Sequence, residues 1–213
     1  IKDWLSSFLS LLFPRCCVVC GRPLAKGEEC ICTVCNINLP RTNYHLRKDN
    51  PVERLFWGQI PLERATSFFF YEKGSDFRLI LHRLKYGGQK EIGAIMGRYM
   101  AAELLSSNFF QGIDVIIPIP LHKKKQQIRG YNQSEWIARG IAVVTGIPID
   151  TESILRKKNT ETQTRKSVFE RRDNVEGIFE LQHPETLAGK HILIVDDVLT
   201  TGSTTLACAS CLV

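Results

Sequence analysis

The sequence predicts an α/β protein in which a parallel sheet carries helices on both faces, preceded by a small module built on four cysteines. Asp114–Pro120 and His191–Val195 are strand-length runs of almost unbroken apolar character, the pattern of strands buried on both faces. Apolar residues recur at helical spacing around and between them, as in folds that alternate strands with helices. Six of the eight cysteines crowd into residues 16–35. The 213 residues, 44% of them hydrophobic and 23% charged, suit one ordinary domain plus a small module, and this composition excludes wholesale disorder and fibrous repeats. A net charge of +6 permits a polyanionic partner without requiring one.

At the N-terminus, Leu5–Phe13 is apolar but broken by Ser6, Ser7 and Ser10. It is far short of the roughly 20 residues a bilayer span needs, so it reads as a short amphipathic helix and no membrane span is expected. Cys17-Val-Val-Cys20 and Cys32-Thr-Val-Cys35 form two Cys-x2-Cys knuckles. Each knuckle aims two thiolates at one point, and two of them complete a tetrahedral site suited to structural zinc. A redox dithiol or a pair of disulfides is the alternative, and Cys16 or Cys30 is an alternative ligand that abandons the symmetric spacing. Cysteines clustered for metal point to a reducing, cytoplasmic location. Residues 1–50 are taken as this module, closed by the polar stretch Arg41–Asn50, and residues 51–213 as the second domain.

Ala65–Tyr71 is aromatic and β-prone, which predicts a strand. Phe77, Ile80, Leu81 and Leu84 predict a helix, and so do Ile92, Ile95, Met96, Tyr99 and Met100, with Lys85–Gly88 as the link. Asp114–Pro120 is the first core strand. Trp136, Ile137, Ile141 and Val144 predict a helix over 134–144. Arg156–Asp173 holds only Val168 and Phe169 as apolar residues and is rich in Lys and Arg. Such a stretch inside a compact domain is a functional lid or a solvated surface loop. His191–Val195 is the second core strand, and a helix starts near Ser203.

The most informative stretch is Ile192-Leu-Ile-Val-Asp196-Asp197-Val-Leu-Thr200-Thr201-Gly202-Ser203-Thr204. It is a buried strand, two carboxylates at its carboxyl end, and a hydroxyl- and glycine-bearing turn that opens a helix. Ligands of parallel sheets bind at that end of the strands. A glycine turn leading into a helix offers converging N–H groups and a favourable dipole for phosphate. The carboxylates accept hydrogen bonds from sugar hydroxyls or help to hold Mg²⁺. An ordinary N-cap needs one oxygen, not this many polar groups.

This run resembles the 5-phosphoribosyl-1-pyrophosphate (PRPP) motif of type I phosphoribosyltransferases. The resemblance implies that Asp196 and Asp197 contact the ribose hydroxyls and that Thr200, Thr201, Gly202, Ser203 and Thr204 hold the 5′-phosphate. Beyond the motif, several features are similar to the ComF family with its GntX-type members: the cysteine pairs, Leu84-Lys85-Tyr86, Ile119-Pro-Leu-His122, Arg129-Gly-Tyr-Asn-Gln133, Gln163, Arg171 and Asn174-Val-Glu-Gly-Ile-Phe179. That family joins an N-terminal zinc finger to a phosphoribosyltransferase domain. The resemblance spans nearly the whole chain and implies zinc on Cys17, Cys20, Cys32 and Cys35, a type I phosphoribosyltransferase fold, Mg²⁺ bound with PRPP, and a link to natural competence and DNA uptake.

By the same resemblance, residues 120–133 lie where the pyrophosphate loop belongs, and 156–173 where the catalytic lid belongs. Arg129 and Lys85 are the candidate catalytic cations, Arg129 being able to grip an oxyanion bidentately. Purine-type members carry an Asp general base where this chain has Thr200, and no segment reads as a base-recognition hood, so the acceptor is not legible. The implied partners are PRPP, single-stranded DNA and other competence proteins. The alternative function is a non-catalytic, single-stranded-nucleic-acid-binding accessory factor that uses the PRPP site as a sensor. Only Tyr131 and Phe169 are candidates for stacking on bases.

Overall fold

A computed structural model describes residues 14–157 and 177–213. The helix expected over 5–13 and nearly all of the polar segment 156–173, with Gln163, Phe169 and Arg171, lie outside the described residues. In chain order the described elements are α1 (Thr33–Ile37), α2 (Pro51–Arg54), α3 (Arg78–Tyr86), α4 (Glu91–Leu104), β1 (Val115–Pro118), α5 (Lys123–Arg129), α6 (Gln133–Thr145), β2 (Ile154–Arg156), β3 (Phe179–Leu181), α7 (Pro184–Leu187), β4 (Ile192–Val195) and α8 (Ser203–Ser210).

The two apolar runs form the expected parallel pair, β1 against β4, in register from Val115↔Ile192 to Pro118↔Val195. A single parallel bridge, Ile116↔Ile149, extends the sheet on the far side of β1. Alternate side chains point to opposite faces. Ile116 and Val195 pack with Ala101 of α4 and Ala138 and Ile141 of α6. Val115 and Ile117 pack on the other face with Ile154 of β2, Phe179 of β3, Leu187 of α7 and Cys208 of α8. Both faces of β1 are thus covered, which is why it is apolar throughout, while most of β4 is half-buried. β2 and β3 are an antiparallel hairpin beside that second face.

Helices α4 and α6 cross with their backbones in contact. A Cβ added to Gly140 would lie 2.0 Å from the carbonyl oxygen of Ala94, and one on Gly97 would lie 2.2 Å from that of Ile137. Only glycine fits at this crossing, and it fixes α6, and with it the residues ahead of α6, over the end of the sheet.

The cysteine module shares a core with these helices. Cys17, Val18, Ile31, Cys32 and Leu39 pack with Ile80 of α3 and Ile92 and Met96 of α4. Ion pairs Arg41–Glu103 and Arg98–Glu29 tie the module to α4 at its surface. Residue 50, where the sequence reading ends the module, is the N-cap of α2: the Asn50 side chain accepts from the N–H groups of Val52 and Glu53, with Pro51 in the first turn.

Two expectations are corrected. Residues 65–71 are extended but make no strand; their one bridge is Arg41↔Phe69. The aromatic residues that suggested a ladder are packing anchors instead. Phe68 and Phe69 lie against the cysteine core, and Phe70 meets Tyr44 edge to face at 5.7 Å. The basic stretch 121–130, read as a loop, is largely helix α5. The His122 ring accepts from the N–H of Lys124 at its start, and Gly130, in the left-handed region at φ 79°, ends it.

Candidate functional site

The four knuckle cysteines converge. Sγ atoms of Cys17, Cys20, Cys32 and Cys35 all lie within 4.8 Å of one another, and those of Cys20 and Cys32 are 3.7 Å apart. A tetrahedron of thiolates about 2.3 Å from a metal has edges of about 3.8 Å, so this donor set could hold a metal such as zinc. The knuckle turns are closed by main-chain bonds, Gly21 N–H to Cys17 O and Asn36 N–H to Cys32 O, each 2.9 Å. The Cys32 N–H donates to Cys17 Sγ at 3.3 Å. The main-chain N–H and the guanidinium of Arg22 pull the Cys20 thiol down to about 6, whereas burial pushes Cys35 up. Neither alternative ligand joins the cluster: Cys16 bonds to Pro14 O, and Cys30 is buried with its thiol pushed up to about 12 by that burial.

The second candidate site lies where β4 ends. Asp196 and Asp197 leave the strand together, and burial, followed by the neighbouring Asp197, pushes the Asp196 carboxyl up to about 6. Opposing this, Asp196 Oδ1 accepts from the Asp197 N–H at 2.8 Å and from Ser134 Oγ at 3.3 Å. Lys85, at the end of α3, places Nζ 3.0 Å from Asp197 Oδ2. Arg156, at the end of β2, is held below the ordinary arginine range by burial, an effect opposed by the field of Asp196.

After the acids the chain turns into α8. Gly202 sits in the left-handed region at φ 75°, and a Cβ there would meet the Phe56 ring at 3.1 Å. No side chain among the described residues caps α8, since the Thr201 and Ser203 hydroxyls bond to each other at 2.8 Å. The first-turn N–H groups are therefore not consumed by a capping oxygen. Thr200 and Thr201 are exposed, Ser203 and Thr204 half-buried. The arrangement offers hydroxyl and N–H donors on one side and two carboxylates on the other.

The Arg129–Ser134 run stitches this site together. Tyr131 OH donates to Leu84 O at 2.5 Å, and Asn132 Nδ2 donates to Ile119 O at 3.0 Å, which ties α3 and the end of β1 to the start of α6. Arg129 Nη1 donates to Gln133 Oε1 at 2.8 Å, and its guanidinium lies 5.6 Å from the Tyr86 ring centre. The structure thus brings Lys85 to the acid pair and holds Arg129 on Tyr86 and Gln133, the chain neighbours of Lys85 and Ser134. Tyr131, a stacking candidate in the sequence, is 8% exposed and committed to Leu84, so it is not available to a base.

Ser134, Gln133, Phe56 and Tyr86 were not singled out by the sequence as site residues. Gln133 and Tyr86 lie within runs the resemblance picks out and Ser134 adjoins one, but nothing local to Phe56 signals its place against Gly202. A cleft of about 1060 Å³, lined among others by Phe56, Phe68, Met96, Leu193, Asp196 and Asp197, opens beside β4. A smaller one of about 490 Å³ lies between α5 and the β2–β3 hairpin, with Lys123, Asn132, Glu135, Arg156 and Glu180 in its wall. Among the described residues, no helix is long and apolar enough to cross a membrane.

No protein-family profile matches the chain, and no solved structure matches it. Among curated proteins it is 32% identical over 209 residues to "DNA utilization protein YhgH" of Escherichia coli O157:H7, covering 91% of this chain and 88% of that one. It is 31% identical over 130 residues to "Competence protein F" of Haemophilus influenzae, covering 59% and 57% of the two chains. It is 26% identical over 214 residues to "Competence protein ComFC" of Bacillus subtilis, covering 98% and 82%.

Proposed function

The chain belongs to the ComF family, and from that premise we propose that it is a PRPP-binding, phosphoribosyltransferase-like protein that serves DNA uptake. The relatives named for competence and DNA utilization support the biological setting. The observation that carries the chemistry is the end of β4: two adjacent carboxylates, a left-handed glycine turn, and a helix start that no side chain among the described residues caps. In this reading the domain has a type I phosphoribosyltransferase fold and the cysteine cluster holds structural zinc.

PRPP enters with its 5′-phosphate on the first-turn N–H groups of α8 and on the hydroxyls of Thr200, Thr201, Ser203 and Thr204, where the helix dipole favours a dianion. Its ribose hydroxyls donate to Asp196 and Asp197. Lys85, paired with Asp197, offsets the negative charge of the acid pair beside a phosphate. Mg²⁺ brought in with PRPP would screen the pyrophosphate charge. Arg129, held by Gln133, supplies a planar cation for the departing pyrophosphate.

A thermal-shift comparison tests the assignment: PRPP with Mg²⁺ raises the melting temperature of the wild type and not of a variant with Asp196→Asn and Asp197→Asn. An equal shift in both proteins would remove the ribose assignment. Thr200 favours a second reading, a non-catalytic nucleic-acid-binding factor that senses PRPP, because an exposed hydroxyl cannot serve as the general base that an Asp there provides. Release of pyrophosphate from bound PRPP in the presence of an acceptor distinguishes enzyme from sensor.

A further inference from the structure

Tyr86 is the last residue of α3 and is 70% exposed. It directly follows Lys85, whose ammonium pairs with Asp197. The Arg129 guanidinium lies 5.6 Å from the Tyr86 ring centre, and the exposed His82 ring lies 5.3 Å away at 50°. Arg129 is set in place by Gln133, which is 1% exposed and whose Nε2 has no hydrogen-bond partner among the described residues. Ser134, the next residue, bonds to Asp196. A closed circuit of contacts therefore runs Asp196, Ser134, Gln133, Arg129, Tyr86, Lys85, Asp197, with the open tyrosine ring as its solvent-facing member.

Arg129 is also the last residue of α5, and α5 breaks the ordinary rules for a surface helix. It buries no residue, and Ile128 is 86% exposed. Its first turn is Lys123-Lys124-Lys125, at the positive end of the helix dipole, where cations are unfavourable. It contains no acid. Local features that run against the helix's own stability mark functional surfaces.

We propose that Tyr86 is a stacking platform for a base of single-stranded nucleic acid whose phosphates run along α5. An acid-free cationic ridge selects a polyanion, and an open aromatic ring beside a planar guanidinium selects a flat π-system. A single strand presents both together, whereas a duplex hides its base faces. The shared chemistry is a nucleobase carrying phosphate, so a free nucleotide is the competing source. The proposal rests on the reading of this chain as acting on single-stranded DNA, and it takes the stacking role from Tyr131, which is buried, to Tyr86.

The test is fluorescence anisotropy with a labelled single-stranded oligonucleotide and an abasic strand of equal length and charge, using wild type, Tyr86→Ala and Tyr86→Trp. The wild type and Tyr86→Trp prefer the base-bearing strand by about tenfold or more, and Tyr86→Ala loses that preference. Because Tyr86 is exposed, the alanine variant folds, which its unchanged melting temperature verifies. An undiminished preference in Tyr86→Ala, or no oligonucleotide binding by the wild type, overturns the proposal. So does a Tyr86 dependence seen with a mononucleotide and not with the oligonucleotide. PRPP titrated in parallel into the wild type reads the strand end separately from the strand preference. If PRPP fails to bind at all, the reading of the strand end falls, while the comparison with the abasic strand still decides the stacking role.

Discussion

Lys85 Nζ lies 3.0 Å from Asp197 Oδ2, joining the last turn of α3 to the end of β4. Both side chains are mostly buried, at 23% and 14% exposure, so the pair is only partly screened by water. Lys85→Met leaves two adjacent carboxylates without their cation. Stability at neutral pH falls by about 1–3 kcal/mol, and PRPP binding weakens with it. Urea unfolding measures the first effect. An unchanged midpoint would show that the ion pair is a surface contact of no consequence.

The raised Asp196 carboxyl gives a pH signature. An acid held at about 6 in the folded state, against 3.8 for the free group, takes up its proton before the unfolded chain does. The folded state therefore gains stability as pH falls from 7 through 6 toward 4, and this contribution is lost again as pH rises through 6. The difference in melting temperature between wild type and Asp196→Asn isolates the effect from that of other carboxyls, and should shift in favour of the wild type on acidification. PRPP affinity moves the opposite way, because ribose hydroxyls donate to the ionised carboxylate. A difference between the two proteins that is constant from pH 7 to 5 would contradict the burial of this group.

The cysteine cluster packs on Ile80 of α3, Ile92 and Met96. Structural zinc sites contribute on the order of 10 kcal/mol, so Cys32→Ser unfolds the module while leaving β1 and β4 paired. Since α3 ends at Lys85 and Tyr86, loss of the metal also weakens PRPP binding. Elemental analysis should find one zinc per chain, and none in protein purified without chelator would remove this reading.

The α4–α6 crossing tolerates no side chain. Gly97→Ala places its Cβ against the Ile137 carbonyl and costs about 2 kcal/mol or more, by pushing apart the helices that cover Ile116 and Val195. Denaturant unfolding checks this, and a neutral outcome would mean that the helices slide freely.

The legible parts of this protein are those whose signal is local. Val115–Pro118 is apolar because both its faces are covered, Ile192–Val195 because it pairs beside it, and the knuckle spacing is in itself the signal for four converging thiols. The helices around Ile80, Met96 and Ile141 follow from their period. The aromatic run Phe68–Tyr71 misleads because β-propensity reports fit to a half-buried surface, and here that surface is the cysteine core, not a neighbouring strand. The family resemblance makes Lys123–Arg129 part of a loop, yet its caps, His122 and Gly130, decide for a helix. The Phe56–Gly202 and Ser134–Asp196 contacts join residues far apart in the chain, and no local pattern encodes them.

The central claim is that the end of β4 binds Mg²⁺·PRPP. Calorimetric titration of the purified full chain with PRPP, with and without Mg²⁺, tests it most directly. The account predicts saturable binding of one PRPP per chain that strengthens with Mg²⁺. No heat of binding in either condition, with the zinc module intact and the protein folded, would contradict it.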